Sequence, residues 1–484
     1  MNLKKQAFSG IKWTSVSSIL IAVIQLVQLT ILTRYLDASD FGLMAIVSMI
    51  IGFSALFLDL GISASIIHKQ DVSHVQLSSL YWLNIISGLL LFIIIYNVAP
   101  LIARFYNEAS LTPIVQILAI NFIISSLGSQ YGLLLQKSLK FNVMAKISII
   151  STTIGFVVAV SLAMKGLGVY ALVFSSLSIA FVSALINIIV GIKKHRPSLV
   201  FKYREIASMI AFGMFQMGER SLNYFNSQFD VLLIGKLLGV EALGIYNVAK
   251  NLAMRPAQVI NPIITKVTFP VMAKVQDDTV RLKNIYLKTI NYLSSVNFPI
   301  YVLLVILAEP IVLILFGEKW SESIVILQIL SIYGAIRSTG NPIGSLQLAK
   351  GRADLGFYWN LGLFIFMPLT IYIGSHWGLD GVAYSLLGLM SFLTIPNWYF
   401  MVNKLCGAGF SEYFRQIFKP LVITIIGGGV GLGVSLYTNI EHIFFNATVI
   451  PVVMGIVVLG LNYLLNRIFI DTIFEFIGKS KVRQ

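Results

Sequence analysis

The sequence has 484 residues, of which 57% are hydrophobic and only 11% charged, with a mean hydropathy of +0.86. Soluble domains are about a quarter charged, so this composition excludes a soluble globular protein. The net charge of +15 does not mark a nucleic-acid-binding protein either, because the lysines and arginines lie mainly between apolar blocks and not on one soluble basic face. The lone cysteine, Cys406, cannot form an intramolecular disulfide and leaves the redox compartment open.

The apolar residues come in blocks long enough to cross ~30 Å of hydrocarbon as helices. In chain order, spans are expected at 11–33, 41–66, 77–99, 112–135, 143–164, 170–191, 207–235, 242–272, 286–308, 323–347, 356–374, 381–402, 419–437 and 447–466. The first follows a basic start, but its apolar run from Ile11 to Leu32 exceeds a signal-peptide core and reads as a retained span. The fold class expected is thus an all-α polytopic membrane protein of about fourteen transmembrane helices. Its links are too short for a soluble catalytic domain.

Lysine and arginine set the orientation. With the N-terminus in the cytoplasm, 25 of them fall in cytoplasmic segments, among them Lys193, Lys194 and Arg196. Five fall in outer loops: Arg34, Arg104, Lys165, Lys236 and Lys319. Both termini are therefore expected inside. Five bases remain for the membrane: Arg220, Lys250, Arg255, Lys266 and Arg337.

The chain also repeats. Residues 34–43 (RYLDASDFGL) resemble 236–245 (KLLGVEALGI), 116–120 (QILAI) resemble 328–332 (QILSI), and 166–171 (GLGVYA) resemble 378–384 (GLDGVAY). Three matches in one order at near-constant offset imply that spans one to six recur as seven to twelve. Six is even, so the two bundles are parallel, a plan that places substrate between halves near the midplane. The domains expected are an N-terminal bundle 1–192, a basic linker 193–206, a C-terminal bundle 207–403, and an extra helix pair with a basic tail at 404–484.

An ionisable group at the bilayer centre costs roughly 2.5–3.5 kcal/mol on insertion scales. The seventh span carries Glu219, Asn223, Asn226 and Asp230 as one stripe, flanked by Arg220. The eighth carries Lys250, Asn251, Arg255, Gln258 and Asn261, the tenth Arg337, Asn341 and Ser345, the first Gln25 and Gln28, and the second Asp59. Such stripes serve either as helix–helix glue or as the lining of a cavity, and stripes with Arg255 and Arg337 near mid-depth favour the cavity. Asp230 and Lys250 sit at similar depth on one hairpin and can pair. Five bases against Asp59, Glu219 and Asp230 make the interior cationic and suit an anionic ligand. Pro256, Pro262 and Pro270 each remove a hydrogen bond from the eighth span and are expected to kink it, passively or for gating. Gly427, Gly428, Gly429, Gly431 and Gly433 form a small-residue face on the thirteenth span, fitted to close helix packing or to a lipid-tail groove. The sequence has no phosphate loop, no metal-spaced His or Cys set and no nucleophile elbow, and no cofactor is expected.

The turn 32–42 (LTRYLDASDFG), Asp59-Leu-Gly61 followed by Ile67-His-Lys69, and Phe269-Pro-Val-Met272 resemble motifs of the MOP superfamily of exporters, in its polysaccharide-biosynthesis, Wzx-type branch. The resemblance runs over nearly the whole chain. It implies a non-enzymatic flippase of the bacterial inner membrane that carries an undecaprenyl-diphosphate-linked oligosaccharide outward by alternating access around a cationic lumen. The surface glycan could be O-antigen, capsule, exopolysaccharide or teichuronic acid. The substrate-binding residues would be Arg255, Arg337, Lys250, Arg220, Gln25, Asn223 and Asn261, with Asp59, Glu219 and Asp230 for ion coupling. The partners implied are the bilayer, a lipid-linked anionic oligosaccharide, and a polysaccharide polymerase with its chain-length machinery. Peptidoglycan-precursor flippases carry arginines on their first helix, and this chain has Gln25 and Gln28 there. Three alternatives stand beside this reading: a cation-coupled drug exporter of the same superfamily, a membrane polymerase or ligase of lipid-linked glycan, and a non-transporting scaffold or scramblase.

Overall fold

The structure is a computed structural model that describes residues 3–59, 66, 72–438 and 443–470, and among them no residue is in a strand. Without water to satisfy the backbone inside hydrocarbon, an apolar segment closes its hydrogen bonds within itself, and helices follow. Among the described residues, six long helices come first: α1 (Leu3–Tyr35), α2 (Ala38–Asp59), α3 (His74–Tyr106), α4 (Leu111–Lys137), α5 (Phe141–Ala163) and α6 (Val169–Gly191). Two long ones follow, α7 (Tyr203–Leu237) and α8 (Gly239–Lys274). The remainder are α9 (Thr279–Ile306), a short α10 (Ala308–Leu315), α11 (Ser323–Gly340), α12 (Pro342–Ala349), α13 (Ala353–Ser375), α14 (Gly378–Asn397), α15 (Phe410–Thr438) and α16 (Ile443–Leu465).

Among the described residues, twelve segments are long and apolar enough to cross a membrane, with α11 and α12 counted as one. The other two expected spans are α7 and α8, of 35 and 36 residues. They match the rest in length, but their polar stripes take them below the hydropathy of a lipid-facing helix.

The chain divides into two compact units, Met1–Asn247 and Val248–Gln484. In the first, α3 packs on α4, α5 on α6, α4 on α6 and α1 on α5, while α7 lies against α2 and α3. In the second, α9 packs on α11, α13 on α14, and α11 on α14. The internal repeat is visible in these pairs. Helix α4 starts at Leu111 and α11 at Ser323, α5 at Phe141 and α13 at Ala353, each pair 212 apart. The turn glycines Gly166 (φ +75°) and Gly378 (φ +70°), at the same spacing, share the left-handed conformation that glycine adopts without steric cost. Helix α15 packs on α9 and α16, as an addition to the repeated set.

Two motif features gain a structural cause. Asp40 of the DFG turn accepts the Asp37 N–H at 3.1 Å and, through Oδ1, the Val169 N–H at 2.9 Å. It thereby caps the start of α6, where backbone donors lack helical partners. Gly42 and Gly244 lie 202 residues apart in the repeated motif and face one another's helix starts. A Cβ on Gly42 would stand 1.8 Å from the Val240 carbonyl oxygen, and one on Gly244 would stand 1.7 Å from that of Ala38. Val240 and Ala38 are themselves 202 apart, so the starts of α2 and α8 cross in a pseudo-two-fold contact of backbone on glycine.

The prolines of α8 do not interrupt it: the helix runs from Gly239 to Lys274 through Pro256, Pro262 and Pro270. The carbonyls four residues earlier lose their donors, yet the backbone stays helical. The interruption falls in the tenth span, which was expected as one helix. Asn341 separates α11 from α12, and Pro342 opens the second piece.

Candidate functional site

The expected site residues fall in both units. In the first unit, Gln25 on α1 is half-buried, while Arg220 and Asn223 on α7 are exposed and Asn226 and Asp230 are buried. The α7 stripe is thus open at the Asn223 level and closed toward the Gly239 turn. Its closure comes from α2. Gly52 leaves room for the Tyr224 hydroxyl, which donates to the Met49 carbonyl at 2.8 Å. Phe53 stacks against Tyr224 and Phe225. Asp230 accepts the Tyr246 hydroxyl at 2.8 Å and the Val231 N–H at 2.8 Å, so this buried carboxylate is held by charge-assisted hydrogen bonds. The side chains of Asp59 and Glu219 lie outside the described residues.

In the second unit, Lys250 and Arg255 are half-buried on α8, Asn261 is 2% exposed and Arg337 is exposed on α11. Asn261 has a structural task. Pro342 has no N–H for the carbonyl four residues before it, that of Ser338. The Asn261 Nδ2 donates to this carbonyl at 3.1 Å, and Asn297 Nδ2 of α9 donates to Asn261 Oδ1 at 3.0 Å. The amide chain joins α9, α8 and α11 at the break and satisfies the carbonyl that proline leaves bare. Arg337, one residue away, donates to the Tyr333 hydroxyl at 3.4 Å and lies 6.0 Å from its ring centroid.

The break opens a cavity of about 230 Å³ lined by Arg337, Thr339, Asn341, Trp359, Thr394 and Asn397 among others. A second helix irregularity borders it: α14 ends at Asn397, after Pro396, and continues as a π-helical turn over Trp398–Asn403. Sequence reading placed Arg337 and Asn341 in one lining but missed Trp359, Thr394 and Asn397. The signals were present as Asn341-Pro342 and Pro396-Asn397, pairs that disfavour an uninterrupted helix.

The glycines of α15 divide between neighbours. A Cβ on Gly427 would meet Val458, one on Gly431 the Ile450 carbonyl, and one on Gly428 Ile306 and Val302, whereas Gly429 and Gly433 face open space. Close packing on α16 and α9 accounts for the first three.

Residues 31–325 match the family described as "Polysaccharide biosynthesis protein". The chain is 37% identical over 450 residues to the teichuronic acid biosynthesis protein TuaB of Bacillus subtilis (strain 168), covering 92% of each. It is 33% identical over 426 residues to the lipopolysaccharide biosynthesis protein WzxC of Escherichia coli (strain K12), covering 88% of this chain and 87% of that one. Among solved structures, the lipid II flippase MurJ in an inward closed conformation superposes with a TM-score of 0.74 at 13% identity, over 94% of this chain and 99% of that one. An inward-facing multidrug resistance MATE transporter of the MOP superfamily gives 0.63 at 15% identity, over 80% and 97%. The fold is that of the MOP superfamily.

Proposed function

Since the chain belongs to the polysaccharide biosynthesis protein family, and is a multi-pass membrane protein with the MOP fold, we propose that it flips a lipid-linked oligosaccharide repeat unit across the bacterial inner membrane for surface polysaccharide export. The observation that carries this reading is the set of basic side chains within α7, α8 and α11, Arg220, Lys250, Arg255 and Arg337, in a family described by polysaccharide biosynthesis. An undecaprenyl diphosphate presents an anion that a purely apolar path would exclude, and guanidinium groups bind phosphate bidentately. Arg255 and Arg337 are the proposed contacts for the anionic groups of the cargo, its diphosphate or an acidic sugar, with Lys250, Arg220, Gln25 and Asn223 beside the path. Asn261 holds the α11–α12 break. Asp59, Glu219 and Asp230 are the groups proposed to couple an ion. The two parallel six-helix bundles act as the alternating halves, both termini lie in the cytoplasm, and the cargo passes to a polymerase on the outer side. A fold shared with a flippase and a multidrug transporter supports a flippase over a polymerase or ligase.

The test is complementation of a strain lacking the protein. Arg255→Ala with Arg337→Ala should abolish surface glycan and accumulate the lipid-linked unit at normal protein abundance. Normal surface glycan from that variant would remove the cationic path. Drug efflux without any effect on glycan would favour the exporter.

A further inference from the structure

The cavity at the α11–α12 break has a lining of unusual chemistry for a membrane interior. It holds one guanidinium, from Arg337, two carboxamides, Asn341 and Asn397, three hydroxyls, from Thr339, Thr394 and Tyr413, and the indole of Trp359. Its lining contains no carboxylate, which disfavours a cation or an amine as occupant. Thr339 and Thr394 already donate to the Ile336 and Met390 carbonyls, at 2.8 and 3.0 Å, which leaves their oxygens only accepting capacity. Asn341 opens α12 without capping it through its side chain, and its carboxamide keeps both donor and acceptor capacity for the cavity. Tyr333 steadies the guanidinium at 3.4 Å.

A diphosphate carries more negative charge than a single arginine offsets, and it has no use for an indole face. A pyranose matches the whole set. Adjacent ring hydroxyls pair with a carboxamide, which donates and accepts side by side. The C–H face of the ring lies on indole. A ring carboxylate meets guanidinium in a fork of two parallel hydrogen bonds. The space of about 230 Å³ is smaller than the roughly 300–1,000 Å³ of drug-sized pockets and suits one sugar ring, not a chain of them.

We propose that this cavity is a subsite for a single pyranose residue bearing a carboxylate, a uronic acid of the cargo, with Arg337 on the carboxylate, Asn341 and Asn397 on hydroxyls and Trp359 under the ring. This rests on the glycan reading above. The subsite is a specificity element, separate from recognition of the diphosphate.

Calorimetric titration of the full-length protein in lipid nanodiscs tests it, with free glucuronate, glucose and inorganic pyrophosphate as probes. Glucuronate should bind with a Kd on the order of 1–10 mM, as expected for so few atoms. Glucose should bind roughly tenfold more weakly, for want of one charge-assisted contact. Arg337→Gln should erase the difference between the two sugars, and Asn341→Ala with Asn397→Ala should weaken both. Absence of glucuronate binding, unchanged binding in the double asparagine variant, or displacement of glucuronate by pyrophosphate would each overturn the subsite. The last two use, respectively, variants that spare every arginine and the unaltered chain, so misfolding does not obscure the result. Loss of glycan in the Arg255→Ala, Arg337→Ala strain without glucuronate binding leaves the flippase standing and removes the subsite. Glucuronate binding with unchanged glycan does the reverse.

Discussion

At the residue scale, the tenth span shows how one proline recruits a partner from another helix. Pro342 takes away the donor for Ser338, and Asn261 supplies one at 3.1 Å. A buried carbonyl left bare costs about 1–3 kcal/mol, so Asn261→Ala should lower the thermal unfolding midpoint of the detergent-solubilised protein. Pro342→Ala restores a backbone N–H at that position, and in the Asn261→Ala background it should recover part of the loss. If the second substitution only adds damage, the amide does not serve the break. Sequence patterning identified Asn261 as a polar residue on a one-sided stripe, and that much was legible from spacing. Its task was not, because it depends on a carbonyl 77 residues further along, which no local period encodes. Asp230 is a parallel case. Its hairpin depth was readable, whereas its hydrogen bond to Tyr246 required knowing how α8 turns against α7.

At the scale of elements, the crossing of α2 and α8 is a tighter constraint than any single span. Ala at Gly42 or Gly244 would drive a Cβ to within 1.8 or 1.7 Å of a carbonyl oxygen, so the helix starts must part. Each substitution should cost about 1–3 kcal/mol as overpacking. The double variant should cost less than the sum of the two, since the first already opens the shared contact. Gly429→Ala is the control: it faces open space and gains helix propensity, so a loss of the same size there would refute the steric account. The basic linker is a second element held by identifiable groups. Trp82 Nε1 donates to the Ser198 carbonyl at 2.9 Å, Ser79 accepts the Lys202 N–H at 2.9 Å, and His74 contacts the Arg196 carbonyl at 3.0 Å. His195 is buried, with its ring centroid 4.8 Å from that of His74. Burial, and then the neighbouring His74, lower the pKa of His195. A lowered histidine pKa means that the unfolded linker takes up the proton first as pH falls, so the docked form loses stability below the ordinary histidine range. Hydrogen exchange of residues 192–202, corrected for intrinsic rates, should quicken between about pH 7 and pH 5. His195→Gln should flatten that dependence, and an unchanged slope would rule out His195 as its source.

At the scale of the whole molecule, the fold was largely legible because a membrane admits few solutions. Length and hydropathy gave the spans, and the three short motif matches gave the repeat that reappears in helix starts 212 residues apart. What composition could not supply was the division of polar work between binding and packing. An asparagine facing a cavity and one bridging two helices have the same hydropathy. Orientation is the remaining whole-molecule property, and under the proposed function it decides the side from which cargo enters. The break near Arg337 lies about 21 Å along the tenth span from Ser323, at 1.5 Å per residue. Were the termini inside, as proposed, Ser323 would be at the outer end and the α11–α12 break in the inner half, where the proposed cargo would load from the cytoplasm. The excess of bases in the expected cytoplasmic segments predicts this arrangement. Cys406 is buried and can be replaced by Ala to give a silent background for labelling. In that background, Ser110→Cys and Ser138→Cys occupy exposed positions at the two ends of α4. A membrane-impermeant maleimide applied to intact spheroplasts should modify position 110 and spare position 138 until the membrane is permeabilised. The reverse pattern would invert the protein and place the Arg337 cavity in the outer half, facing the wrong pool of cargo for export. Labelling as expected, together with loss of surface glycan in the Arg255→Ala, Arg337→Ala strain, would fix both the path and its direction.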